Sequence, residues 1–223
     1  MSAMVERAAR VEQGDAPDLV YRRPAAPAVD RLLHPDLAEL RSPGHFDERP
    51  LDAIPRLADR VASFGGRVDG PRRFGVLATV EGVAIAASVA AWSRPSNLLD
   101  HGPHTRGIVR ARVAPGVARL LITRRSLLGL RSWRSKLGLL KECTVTDPAA
   151  QAAFVVTGDQ ETSALVLGGG IRPALLAMRA ILGHVAVGGG VVEVAWSTST
   201  FDHHAVLPSA VLVAVLEIAR AAG

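Results

Sequence analysis

Seven of the 14 prolines fall in the first 60 residues, at Pro17, Pro24, Pro27, Pro35, Pro43, Pro50 and Pro55. Proline lacks the backbone N–H and its ring clashes with the preceding turn, so no long helix fits that stretch. The core of a 223-residue chain must therefore come from the residues C-terminal to it. Residues 1–70 are expected to be a proline-rich N-terminal arm, and residues 71–223 one α+β globular domain. Two short helices fit the arm, beginning at Pro35 and Pro55, where a missing N–H costs little at the first helical position. In the second, Leu57, Val61 and Phe64 make one apolar stripe at helical spacing. That stripe has to cover either the chain's own globular part or a neighbouring subunit.

From Phe74 the pattern changes to apolar runs rich in β-branched residues, punctuated by turn residues, as strands require. Residues 74–80 and 83–92 flank Glu81-Gly82 and predict a hairpin. Residues 105–113 and 118–124 flank Ala114-Pro115-Gly116-Val117 and predict a second. In the first of these strands Arg106, Arg110 and Arg112 share one face with Ile108, opposite Gly107, Val109, Ala111 and Val113. Further strands are expected at 140–145 and 153–157, then a helix over 171–182 behind Gly168-Gly169-Gly170. A hairpin of 185–187 with 191–196 turns at Gly188-Gly189-Gly190, and a closing helix covers 207–221. Strands first, then helix, hairpin and helix, predict an antiparallel β-sheet with helices packed on one face. The closing helix is apolar over most of its surface and should be buried on several sides, an oligomeric interface being one way to achieve this.

The run Val145-Thr146-Asp147-Pro148, followed by Phe154-Val155-Val156-Thr157-Gly158-Asp159 and then helix, hairpin and closing helix, resembles the C-terminal half of certain uncharacterised bacterial domains of unknown function. The likeness covers about 80 residues and implies no activity, because function resides in a site and not in a fold. Residues 117–130 are similar to the strand-and-turn of bacterial pleckstrin-homology-like domains, which would imply a small sheet module that binds lipid or protein.

Charge is distributed unevenly. Residues 101–141 hold ten basic side chains and no acidic one, whereas the other 182 carry 16 basic and 21 acidic groups. Such an excess implies an anionic counterpart or a set of internal pairs. If 124–141 is helical, Leu130, Trp133, Leu137 and Leu140 share a face, Arg124 and Arg131 point away, and Arg134 sits at the edge. An anionic surface, membrane lipid or nucleic acid, would then meet Arg110, Arg112, Arg124, Arg125, Arg131, Trp133, Arg134 and Lys136. Against this, Gly129 and Gly138 weaken a helix by about 1 kcal/mol each. Only nine aromatic residues are present, too few to suggest a base-stacking platform. The internal alternative assigns Asp147, Asp159 and Glu161 to capping helix starts and pairing with the excess arginines.

Motifs for chemistry are sparse. Asp100, His101 and His104 fall in one turn-rich segment, and Asp202, His203 and His204 in another. If the two meet, His101, His104, His203 and His204 make a zinc-type ligand set, which would imply a histidine-based metal-dependent enzyme. The spacing provides no helix to hold two rings on one side. Cys143 is flanked by Glu142, a neighbour that disfavours the thiolate, and is expected to be structural. The glycine triplet at 168–170 lacks a subsequent Gly-Lys-Ser/Thr, so it is expected to be a turn and not a phosphate cradle. No cofactor is implied. One cysteine and the absence of a secretory signal favour the cytoplasm, and no apolar run is long enough for a transmembrane segment. The expectation is a non-catalytic interaction or assembly component, whose partner is another protein or a second copy of itself. The alternative is peripheral binding of an anionic surface through residues 106–141.

Overall fold

The computed structural model describes residues 53–72, 75–93, 103–125, 141–199 and 206–223. In chain order the elements are α1 (Ala53–Ser63), β1 (Arg67–Arg72), β2 (Gly75–Val80), β3 (Val83–Ser93), β4 (Pro103–Arg112), β5 (Leu120–Arg124), α2 (Pro148–Ala153), β6 (Phe154–Gly158), α3 (Gln160–Val166), α4 (Ile171–Ala177), β7 (Leu182–Gly188), β8 (Val191–Thr198) and α5 (Ser209–Ala221). The strands hydrogen-bond in the orders β1-β2-β3-β4 and β8-β7-β5-β6. The fold is α+β, an antiparallel sheet with helices packed against it. The helix expected at Pro35 lies outside the described residues.

The described residues cluster into two compact units: those up to Arg110 with those of 197–208, and 111–196 with 209–223. In the first unit β2 and β3 form the expected hairpin, Val80 opposite Val83. Its turn residues Glu81 and Gly82 both have positive φ, 49° and 81°, as the tight hairpin turn demands. Helix α1 packs against β1, β2 and β3. Leu57 and Val61 are fully buried there, so that part of the stripe covers the chain's own sheet. Arg60 is buried beside them. Its Nε donates to the Leu207 carbonyl at 3.1 Å, and its guanidinium lies 4.3 Å from the centre of the Phe64 ring.

In the second unit β5 pairs with β6 on one side and β7 on the other, and β7 pairs with β8. The registers place Leu120, Ile122, Phe154, Val156, Val185, Val187, Val192 and Val194 on one face, all buried. Two short helices, α2 and α3, pack on β6, while α4 packs on α5 and α2, and α3 also packs on α5. Asp147 caps α2 by accepting from Ala150 N, and Asp159 caps α3 by accepting from Thr162 N. Helix α5 buries Val211, Leu212, Ala214, Val215, Leu216, Ile218 and Ala219 within the single chain, so its apolar surface needs no second subunit.

Three sequence expectations change. Residues 105–113 and 118–124 do not pair as a hairpin: β5 lies between β7 and β6. After β4, Val113 N donates to Gly190 O at 3.0 Å and Ala114 N to Ala222 O at 2.7 Å, so the β7–β8 turn and the C-terminus hold the chain instead. The helix expected over 171–182 ends at Ala177 and closes in tight turns, freeing Leu182 to pair opposite Trp196 in β7. The strand expected at 140–145 is a single bridge, Glu142 opposite Thr157.

Candidate functional site

The strand periodicity of β4 separates its side chains as the sequence implies. Thr105, Val109 and Ala111 are fully buried on one face, while Arg106 and Arg110 are half-buried and Arg112 exposed on the other. Each of the three arginines has interactions of its own. Ile108, which shares their face, is buried.

Arg124 and Arg125 are committed to the chain itself. Arg124 shares parity with Leu120 and Ile122, and its Nη1 donates to Ala180 O at 2.9 Å, just past α4. Arg125 donates from Nε to Gln151 O at 3.0 Å and from Nη2 to Phe154 O at 3.2 Å. Its backbone N also donates to Ala153 O at 2.8 Å. The end of α2 thus receives the donors that its last carbonyls lack. Both arginines are structural in this arrangement. Arg131, Trp133, Arg134 and Lys136 lie outside the described residues.

Asp147 and Asp159 cap helix starts as expected, and the ion pair that Asp147 makes is with an arginine outside the basic segment. Asp147 accepts from Arg172 Nη1 at 2.8 Å, an arginine of α4 outside that segment. Asp159 Oδ2 accepts from Thr162 N at 2.8 Å and from the Thr162 hydroxyl at 2.9 Å. These bonds hold its carboxyl below the usual value. Cys143 is buried and free of any disulfide. Burial pushes its thiol up, with the Asp159 and Glu142 carboxylates adding to the effect and the Ser163 hydroxyl and Lys141 opposing it. A thiol so placed is a poor nucleophile.

His101, His203 and His204 lie outside the described residues, and so does the side chain of His104, whose backbone is in β4. Among the described residues no three His, Cys, Asp or Glu side chains converge to hold a metal ion. The glycine triplet precedes a helix of only seven residues, with no side-chain cap at Gly170.

One pair was not anticipated. On the second face of the β5–β8 sheet, His184 Nε2 lies 2.6 Å from Glu193 Oε1 across the β7–β8 hairpin. The same face carries Leu121, Thr123, Val155 and Ala186, each part-exposed. His184 stands one residue before the expected hairpin strand, and its approach to Glu193 depends on the observed register, which sets Gly188 opposite Val191 and Ala186 opposite Glu193.

No family model matches the sequence, and no curated protein matches it. Among solved structures, the chain is similar to the crystal structure of the mycobacterial trehalose monomycolate transport factor A, TtfA. The likeness covers 74% of this chain and 92% of that one, at 10% identity and a TM-score of 0.42.

Proposed function

We propose that this protein is a non-catalytic interaction component that meets another protein chain on the second face of the β5–β8 sheet. The supporting observation is the contrast between the two faces of that sheet. One is buried beneath the chain's own packing, and the other presents Leu121, Thr123, Val155 and Ala186 part-exposed around the hydrogen-bonded His184–Glu193 pair, with Thr157 and Ala195 buried between them. Short, mostly uncharged side chains on a rigid surface suit a protein partner better than an anionic one. Among the described residues no helix is long and apolar enough to cross a membrane. A cytoplasmic setting belongs to this reading, on the strength of the single reduced cysteine.

The simplest partner is a second copy. Light scattering of the full chain over a wide concentration range tests it, alongside Ala186→Arg, which places a charge at the centre of the face. Concentration-dependent association that Ala186→Arg abolishes, with unfolding unchanged, supports the reading. A monomer at every concentration, for both proteins, removes self-assembly.

A second reading rests on β4, where Arg106, Arg110 and Arg112 share one face. It is peripheral binding to an anionic surface. Arg110→Glu with Arg112→Glu should abolish binding to vesicles rich in anionic lipid, and binding by the unaltered chain should weaken as salt rises. Binding insensitive to salt counts against it.

A further inference from the structure

The outer edge of β6 is closed by four residues. Cys143 N donates to Val156 O at 2.9 Å and Gly158 N donates to Lys141 O at 2.8 Å, which makes the single bridge between Glu142 and Thr157. One residue further on, a side chain takes over from the ladder. Gln160 Oε1 accepts from Thr144 N and Gln160 Nε2 donates to Thr144 O, each at 2.9 Å. The side-chain amide does here what a peptide group of a neighbouring strand would do. The remainder of the edge is occupied independently, since Phe154 N donates to Ala150 O and Phe154 O accepts from Arg125.

This cover is weakly held. Of residues 141–144 only Cys143 is buried, while Lys141, Glu142 and Thr144 are exposed. Among the described residues four hydrogen bonds and one thiol secure it, whereas β5, on the other side of β6, has ladders along both edges and buries Leu120 and Ile122. Segments with few buried apolar contacts and solvent-exposed hydrogen bonds open at much lower free energy than the core. On the C-terminal side Asp147 anchors the chain through Ala150 N and Arg172, which leaves Val145 and Thr146 as the hinge.

We propose that residues 141–144 form a strap that opens and closes while its unit stays folded, uncovering the Val156 carbonyl and the Gly158 N–H on the β6 edge. The strap opens whether or not the second sheet face binds a partner.

Cys143 is the sole cysteine in the chain, and its thiol reports strap opening directly. The test is the rate at which Ellman's reagent labels the full chain at rising urea, with Gly158 amide exchange measured in parallel. The expected rate lies well below that of a free thiol and depends only weakly on urea. Gln160→Ala removes both bonds to Thr144 and should raise labelling and Gly158 exchange together, about tenfold, with labelling still only weakly dependent on urea, while the free energy of global unfolding falls by no more than the ~1.4 kcal/mol that tenfold represents. Gln160→Glu keeps the acceptor for Thr144 N and should raise them less. Labelling with the urea dependence of global unfolding, labelling at the free-thiol rate, or a rate unchanged by Gln160→Ala would each overturn the proposal.

Discussion

The Nε–H of Arg125 donates to the carbonyl oxygen of Gln151 at 3.0 Å, tying the end of β5 to the last turn of α2. Its Nη2 reaches Phe154 O as well, so one guanidinium serves two carbonyls that helix geometry leaves open. Replacing Arg125 with Ala should cost about 1 kcal/mol, read as a lower urea midpoint at unchanged slope. Arg125→Lys should recover only part of this, because an ammonium lacks the planar fork.

Asp159 provides a pH signature. Its carboxyl titrates below the ordinary value of 3.8 in the folded chain, chiefly because the Thr162 N–H and then the Thr162 hydroxyl donate to it. A depressed folded value means that its contribution is complete above 3.8 and is lost as the pH falls through the folded value. Asp159→Asn keeps a cap that cannot titrate. The gap in unfolding midpoint between the unaltered chain and Asp159→Asn should be constant at neutral pH and shrink in that acid window.

Gly158 has a φ of 130°, a conformation closed to side chains, and a Cβ there would run into the Arg119 carbonyl oxygen. Gly158→Ala should therefore destabilise by about 3 kcal/mol, from backbone strain and the clash together. Gly116 faces open space, so Gly116→Ala should stay within about 0.5 kcal/mol of the unaltered chain. Chemical denaturation of both variants checks the contrast.

On α5 two neighbours should behave oppositely. Leu212 is 2% exposed and Val213 44%. Leu212→Ala should cost about 2–5 kcal/mol and Val213→Ala less than about 0.5 kcal/mol, in dilute solution where association is absent. A Leu212→Ala effect that appears only at high concentration would mean that the helix is buried by a second subunit and not by α3 and α4.

Much of the local structure is legible in the residues. The Glu81-Gly82 turn and the glycine triplet at 188–190 announce their hairpins, because few residues other than glycine adopt the positive φ that such turns need. Asp147 and Asp159 announce helix starts in the same way, by a carboxylate two or three residues ahead of orphan N–H groups. The alternation of Arg106, Arg110 and Arg112 against Val109 and Ala111 also survives in β4. Arg124 and Arg125, in contrast, look like members of one exposed basic surface. Their acceptors at Ala180, Gln151 and Phe154 are 26 to 56 residues away, and no spacing rule reaches that far.

Residue order alone dictates the alphabet of elements: which stretches turn, which alternate, and where helices begin. Those are set by φ restrictions and by hydrogen bonds spanning a few residues. Strand order belongs to the folded chain as a whole. The turn at Pro115-Gly116 permits β4 and β5 to pair, yet Gly190 and Ala222 take the N–H groups of Val113 and Ala114, and β5 settles between β7 and β6. The same long-range registers bring His184 to Glu193 and set the Gln160 amide against Thr144. Such contacts arise from competition among all strands for partners, a property of the whole chain and not of any segment within it.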